Sequence, residues 1–143
     1  RHISLDDIQS PSGAVQRIVS VRFAELLSEA DALRGARAQE MHALRIGCKR
    51  LRYSIELFAK EAPKLTLAGQ RIRQLQDELG ELHDCDVLAR MAKDRNAGNV
   101  LRRLRRERER HALRVKALWA DAFSKGGPFA ELIAFTGFGT APQ

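Results

Sequence analysis

Four basic side chains recur along one segment at a spacing that places them in a single row on a helix. The row consists of His42, Arg45, Lys49 and Arg52. Because these positions are three, four and three residues apart, they lie on one face of an α-helix, and Lys60 extends that face. An Arg side chain grips two oxygens of a phosphate or carboxylate at once, whereas Lys acts as a mobile point charge. The row therefore predicts a surface that binds an extended anion.

Apolar residues flank this row on both sides. Leu44 and Leu51 lie on one side of it, while Ile46, Tyr53 and Leu57 lie on the other. A helix face that points only to solvent is polar throughout, whereas a polar row between two apolar edges is typical of a groove between neighbouring helices. We therefore expect the row to line an interhelical groove.

A second polar row follows in the next predicted helix. Gln76, His83 and Arg90 recur at intervals of seven, with Arg73 near them on the outer side. This spacing keeps the residues on one face of a helix, so this row is also expected to run along a seam. A single inward His is more often a hydrogen-bonded structural side chain than a ligand, and that interpretation stays open for His83.

Most of the net charge lies in one further segment. Residues 98–116 contain eight Lys or Arg and two Glu, which accounts for six of the seven net positive charges. At about 100° per residue, five arginines fall on the outer half of a helix, and three basic residues fall in line with its apolar positions. The outer five are Arg102, Arg103, Arg106, Arg110 and Arg114, and the inward three are Arg105, Arg108 and His111. Exposed arginines are commonly solvated, whereas inward bases must reach solvent, pair with carboxylates or bind an anion.

Apolar periodicity predicts the helices that position these residues. Apolar residues at three-and-four spacing indicate helices over residues 15–33, 38–62, 66–95 and 100–124, and a short helix over 129–135. Gly35 and Pro63 separate the first three, and Thr66 is expected to cap the third. Four long amphipathic helices with short loops predict an all-α fold, an antiparallel four-helix bundle with a short C-terminal capping helix.

Length and composition fit this architecture. The chain has 143 residues, of which 44% are hydrophobic, 30% charged and 6% aromatic. These values favour a single helical domain over a disordered chain or a sheet core rich in aromatic rings. We expect the domain to cover residues 13–136, between a flexible leader (1–12) and a flexible tail (137–143).

The net charge of +7 indicates an anionic partner: nucleic acid, a phosphate polymer or an acidic membrane surface.

Several other classes of protein and of site find no support. No apolar run approaches the roughly 20 residues that cross a bilayer, and no signal peptide is apparent, so we expect a cytoplasmic protein without a membrane partner. Cys48 and Cys85 lie within helical patterns and are interpreted as small core residues. His83, Asp84 and Asp86 cannot all face one ion on a helix, so neither a metal nor another cofactor is expected. No nucleophile with an orienting base can be identified, so nothing indicates an enzyme.

Two segments carry a family resemblance. The stretches MHALRIGCKRLRYSIELF (41–58) and LQDELGELHDCDVL (75–88) resemble two conserved helices of the CHAD domain, the conserved histidine α-helical domain. That resemblance implies an all-helical fold that binds inorganic polyphosphate through Lys, Arg and His side chains lining a basic channel. It implies a binding role for His42, Arg45, Lys49, Arg50, Arg52, Tyr53, Arg73 and His83. To these we add Arg90 from the second polar row and, from helical phase alone, Arg105, Arg108 and His111.

The chain departs from the family pattern in one respect. A typical member resembles two related four-helix bundles that face each other across the channel, whereas here the 41–58 signature occurs once. The chain is either a compact single-bundle member or one half of a homodimer, in which two-fold symmetry supplies the second bundle. An open basic half-groove with apolar edges favours the homodimer.

Three functional hypotheses follow. The first is a non-enzymatic polyphosphate-binding module of the cytoplasm, which would associate with polyphosphate granules. The second is a helical protein that binds nucleic acid through the outer arginines of residues 100–124. Such binding would be nonspecific, because few aromatic residues are present for base stacking. The third is an accessory subunit of a triphosphate- or polyphosphate-hydrolysing enzyme, because domains of this family often accompany a triphosphate-cleaving partner.

Overall fold

The computed structural model describes residues 11–138, and every regular element in that range is helical. The helices are α1 (Pro11–Ser28), α2 (Ala32–Gly35), α3 (Ala38–Leu57), α4 (Thr66–Asp94), α5 (Gly98–Ala122) and α6 (Ala130–Thr136), and a 3₁₀ turn spans Pro63–Leu65. The predicted all-helical class is therefore confirmed. Residues 1–10 of the predicted leader and 139–143 of the predicted tail lie outside the described range. Within that range, no helix combines the length and apolarity needed to cross a membrane.

The long helices pack on their neighbours in chain order. Contacts between α3 and α4 join Arg52 to Gln76 and His42 to His83, so the residue numbers run in opposite directions and the two helices are antiparallel. The ion pairs between α4 and α5 follow the same reversed order. α1 packs on α3, and α6 packs on α1. Closure of these helices into a four-helix bundle stays a prediction.

The apolar stripes that predict the helices form the core. In α3 the stripe is buried along most of its length, at Met41, Leu44, Cys48, Leu51 and Ile55. The core of the other helices includes Phe23, Leu26, Ile72, Leu75, Leu79, Leu82, Val115, Phe129 and Leu132. Burying a large apolar side chain contributes about 1.5–3 kcal/mol, so packing of these faces, more than helical propensity, stabilises the helices.

Both cysteines are buried and free, which confirms their interpretation as core residues. Burial raises the pKa of the Cys48 thiol to about 12. The thiol is therefore protonated at neutral pH, and because the thiolate is the reactive form, Cys48 is chemically inert.

Near the N-terminus, two helix boundaries differ from their predictions. Pro11 and Ser12, assigned to the leader, begin α1. The helix predicted over 15–33 is interrupted after Ser28, whose hydroxyl donates a hydrogen bond to the carbonyl oxygen of Glu25 at 2.6 Å. A hydroxyl that bonds to its own helix competes with the backbone ladder and favours an ending there.

Around Pro63, the predicted helix ends are also displaced. α3 ends at Leu57 rather than near residue 62, and the backbone continues through short turns up to the 3₁₀ segment. Lys60 therefore lies beyond the helix and does not extend the basic row. Thr66 is the first residue of α4 rather than its cap, and its hydroxyl donates to the carbonyl oxygen of Pro63 at 2.9 Å.

The predicted C-terminal helix is present as α6 and is joined to α1. Gln16 Nε2 donates a hydrogen bond to the carbonyl oxygen of Phe135 at 3.1 Å. Just before α6, Phe129 is buried in an aromatic cluster with Phe23 and Phe123, whose ring centroids lie 5.1 to 6.3 Å apart. The cluster joins α1, the end of α5 and the start of α6 in one packing unit.

Candidate functional site

The two polar rows predicted from the sequence meet between α3 and α4. Arg52 Nε donates a hydrogen bond to Gln76 Oε1 at 2.7 Å, and the imidazole rings of His42 and His83 stack with their centroids 5.0 Å apart. We call the surface between these helices the α3–α4 groove. Its residues are His42, Arg45, Lys49 and Arg52 from α3 and Arg73, Gln76, His83 and Arg90 from α4.

At its histidine end the groove widens into a cleft of about 550 Å³ that opens to solvent. The cleft is lined by Ala38, Gln39, His42, His83, Asp86, Ala89 and Arg90. Arg90 is exposed and has no ion-pair partner among residues 11–138. This end of the groove therefore offers an approaching anion one free guanidinium group and two imidazole rings.

Arg45 occupies the middle of the groove without an ion-pair partner in the described part of the chain. Its Nε atom is buried and has no hydrogen-bond acceptor among residues 11–138. Arg45 lies against Gly80 of α4, where an added methyl group would sit 3.8 Å from that Nε atom. A buried donor without an acceptor costs about 1–3 kcal/mol, so the placement of Arg45 is a destabilising feature of the folded protein. The helix α4 continues unbroken through Gly80.

Tyr53 supports two cations of the row. The guanidinium carbon of Arg52 lies 4.7 Å from the centroid of the Tyr53 ring, and Lys49 Nζ lies 5.7 Å from it. A cation–π contact at an exposed position contributes about 0.5–1 kcal/mol, so Tyr53 helps to hold both bases at the edge of the groove. Arg50 is exposed as well, but it lies about 100° around the helix from Lys49 and outside the row.

The opposite end of the groove holds a carboxylate. Glu56 Oε1 accepts hydrogen bonds from Arg73 Nη2 at 2.8 Å and from Arg52 Nη1 at 3.1 Å. The hydrogen bond from Arg73, with a smaller effect of Arg52, lowers the pKa of Glu56 below its ordinary value. Beside it lies a cleft of about 220 Å³, lined by Ile55, Glu56, Ala59, Thr66, Gly69, Gln70 and Arg73. Sequence reasoning gave Glu56 no role, although its position four residues after Arg52 marks it as part of the row.

The inward bases of α5 pair with carboxylates of α4, Arg108 beside the histidine end of the α3–α4 groove and His111 at another position along the helix. Arg108 donates hydrogen bonds to Asp86 Oδ1 and to the carbonyl oxygen of Ala36, both at 2.5 Å, and His111 Nδ1 lies 2.6 Å from Glu78 Oε2. We call this contact region the α4–α5 seam. Of the possibilities open to inward bases, pairing with carboxylates is the one observed, so Arg108 and His111 do not contribute free charge to the groove. Their partners are fixed by helix packing, and no sequence motif marks them.

Arg105 reaches solvent, another of the outcomes expected for a base with inward phase, because it is exposed. The first buried residue of α5 is Ala112, so the inward face of this helix is not covered at Arg105. The outer arginines are exposed as their phase predicts, at Arg102, Arg103, Arg106, Arg110 and Arg114. The N-terminal half of α5 is thus a basic surface distinct from the α3–α4 groove.

The comparison with protein families covers the segment that carries the groove. The family model of the CHAD domain matches residues 5–93, more than half of the 143-residue chain. The matched segment contains every residue of the α3–α4 groove and ends before α5 begins. Comparison with the curated proteins and with the solved structures gives no match. On the extent of the family match, this chain belongs to the CHAD domain family.

Proposed function

We propose that this chain is a non-catalytic module that binds inorganic polyphosphate along the α3–α4 groove. The observation that carries the proposal is a set of bases left without an internal counter-charge: Arg45, Lys49 and Arg90 have no carboxylate partner among residues 11–138. Arg108 and His111 in the α4–α5 seam are, by contrast, paired. Bases with a structural role are neutralised within the fold, whereas unpaired bases in a groove are suited to an external anion.

The length and openness of the groove favour a chain of phosphates over a single phosphate. His42 and Arg52 are ten residues apart on α3, which corresponds to about 15 Å along a helix. Polyphosphate carries a negative charge on each repeating unit, so a track of similar, individually weak contacts can hold it. Membership of the CHAD family supports this choice, because the family resemblance implies a basic channel that binds polyphosphate. Affinity should then fall steeply with salt concentration, as it does for phosphate contacts in nucleic-acid complexes.

Nonspecific nucleic-acid binding is the second candidate function, and the exposed arginines of α5 favour it. Such a surface attracts any polyanion through long-range electrostatics. We rank it second because these arginines lie outside the segment matched by the family. In addition, three of them have partners within the fold: Arg102 bonds Asn99, Arg110 pairs with Glu107, and Arg114 pairs with Glu78.

Competition between the two polymers tests this ranking. With labelled polyphosphate bound to the protein, duplex DNA is expected to displace it only at a phosphate concentration about tenfold higher than that of unlabelled polyphosphate. The physical reason is that the groove admits a single flexible chain, whereas a duplex reaches only the outer surface. Fluorescence anisotropy at fixed salt measures both displacement curves. Equal displacement at equal phosphate concentration would favour the nucleic-acid function instead.

We further propose that the module does not cleave the polymer itself and that any hydrolysis belongs to a partner enzyme. The carboxylates at the two ends of the groove, Glu56 and Asp86, are each held by arginines. Metal-dependent phosphoryl hydrolysis uses carboxylates to hold the metal ion. Within residues 11–138, no group of three or more His, Cys, Asp or Glu side chains is placed to hold one. Release of inorganic phosphate from polyphosphate by the purified chain with Mg²⁺, measured in a phosphate assay, would overturn this part of the proposal.

We also propose that two copies of the chain face each other across the groove. Ile46, Tyr53 and Leu57 form an exposed apolar stripe on α3 beside the basic row, and Leu57 is 75% exposed. A two-fold related copy would cover this stripe and supply the second wall of a closed channel. Light scattering should then give twice the mass of one chain, and Leu57→Glu should give the single-chain mass. Two results together would contradict this arrangement: a wild-type protein that is monomeric, and equal polyphosphate affinity of wild type and the Leu57→Glu variant.

A further inference from the structure

The carboxylate of Glu56 bridges guanidinium groups from the two walls of the α3–α4 groove. Arg52 belongs to α3 and Arg73 to α4, and their Nη1 and Nη2 atoms lie 3.1 and 2.8 Å from the same oxygen, Glu56 Oε1. Two guanidinium groups converging on one anionic oxygen form the arrangement with which arginines bind phosphate. The protein's own side chain therefore occupies a position that has the chemistry of a phosphate subsite.

We propose that Glu56 is an internal competitor of the bound polymer, an intramolecular anion that a phosphate group must displace from Arg52 and Arg73. This inference rests on the proposed function and adds a regulatory residue to the groove. In sequence, Glu56 continues the row that runs through Arg45, Lys49 and Arg52. A polymer that follows the row therefore arrives at the Glu56 carboxylate.

The two arginines differ in what holds them. The Arg52 side chain is 13% exposed, and Gln76 and the Tyr53 ring also contact it, so it stays in place when the carboxylate leaves. The Arg73 side chain is 60% exposed, and the Glu56 side chain is 45% exposed. Ion pairs at this exposure are weak, because solvent screens the two charges. The carboxylate can therefore swing away, leaving a subsite that is already half formed by Arg52.

The competitor stays charged at neutral pH. The hydrogen bond from Arg73 lowers the pKa of Glu56 below the ordinary range of a glutamate, so it is ionised throughout the physiological range. It consequently reduces the attraction of this end of the groove for phosphate under all ordinary conditions. Its charge is removed from the two arginines only when Glu56 is substituted or when a polyanion displaces its carboxylate.

The variant Glu56→Gln tests the inference, because the amide keeps the size of the side chain and loses its charge. We expect this variant to bind polyphosphate of defined length on the order of fivefold more tightly at low salt, the equivalent of one exposed ion pair. Its affinity should also fall more steeply with salt, since the freed arginines contact phosphate and release further counterions. Glu40→Gln is the matched control, because Glu40 lies on the same helix, carries the same charge and pairs with Arg37 at 3.9 Å outside the groove.

Each outcome of this experiment has one interpretation. A tighter and more salt-dependent Glu56→Gln variant, together with an unchanged Glu40→Gln variant, supports the inference. If wild type binds polyphosphate and both variants gain equally, the effect is one of net charge and the inference fails while the proposed function stands. Unchanged or weaker binding by Glu56→Gln, with the circular dichroism spectrum of wild type, overturns it as well. If none of the three proteins binds polyphosphate, the proposed function fails first.

Discussion

Replacing Arg45 and Lys49 together by glutamate is expected to abolish polyphosphate binding while the helical content stays that of wild type. The two positions are adjacent in the row and stand at the centre of the α3–α4 groove. Reversal turns two attractive contacts into two repulsive ones at the point where the polymer must pass. We expect affinity for polyphosphate to fall about a hundredfold or more at 0.1 M salt, because each phosphate contact releases counterions and so contributes to the free energy of binding.

The folded state should tolerate this double substitution. Neither side chain has an ion-pair partner among residues 11–138, and Arg45 Nε has no hydrogen-bond acceptor there, so no ion pair is broken and the weak cation–π contact of Lys49 with Tyr53 is the interaction lost. The matched control is Arg103→Glu with Arg106→Glu on α5, which changes the net charge by the same amount on exposed positions. Fluorescence anisotropy measures binding, and circular dichroism measures helicity. Equal loss of affinity in both double variants would contradict the assignment of the groove.

Replacing Arg108 by methionine is expected to lower the free energy of unfolding by about 2 kcal/mol, because it leaves two half-buried polar groups without their partner. Asp86 would lose its guanidinium partner, and the carbonyl of Ala36 would lose its donor. Ala36 has a φ of 51°, a conformation that residues other than glycine rarely adopt. Arg108 therefore stabilises the turn that precedes α3 as well as the α4–α5 seam.

Arg105→Met is the control for this prediction, because Arg105 is exposed on the same helix and has no ion-pair partner in the described range. Its effect on stability should stay within about 0.5 kcal/mol. Urea denaturation followed by circular dichroism measures both variants. Polyphosphate affinity should change by less than about threefold in either. If Arg108→Met were as stable as wild type and failed to bind polyphosphate, Arg108 would be a ligand, as its helical phase suggests.

The basic rows could be predicted from the sequence because both lie on long, regular helices. α3 has 20 residues and α4 has 29, so a constant angle per residue locates each side chain around its axis. Consecutive helices joined by a short connection are antiparallel neighbours, which brings the two rows together. Those two regularities place the two rows side by side, whereas the particular pairs, His42 with His83 and Arg52 with Gln76, also depend on the offset between the helices.

The ion pairs of α5 could not be predicted in this way. Arg105 and Arg108 share an inward phase, but only Arg108 is covered by neighbouring elements. Whether it meets Asp86 depends on how far one helix is displaced along the other, and side-chain packing sets that displacement. The periodicity of the sequence gives the angle of each side chain around its helix axis. It does not give the displacement of one helix along its neighbour.

The ends of the helices were also beyond the reach of periodicity. The hydroxyl of Ser54 donates a hydrogen bond to the carbonyl of Arg50 at 3.1 Å near the end of α3, and Ser28 makes a similar bond at the end of α1. Such local hydrogen bonds compete with helix propagation before a proline or glycine is reached. Pro63 therefore gives the last possible end of α3, and the actual end lies at Leu57.

The contact of Arg45 with Gly80 distinguishes a partly buried base at the centre of the groove from the exposed bases towards its edges. A long charged side chain that becomes ordered only on binding loses up to about 2 kcal/mol of conformational entropy. Arg45, with its Nε buried beside Gly80, has already lost part of that freedom on folding. Lys49 and Arg90 are exposed and form no ion pair within residues 11–138, so more of their side-chain freedom remains to be lost when an anion binds. Under the proposed function, Arg45 would therefore hold the polymer at a lower entropic cost than the exposed bases on either side of it.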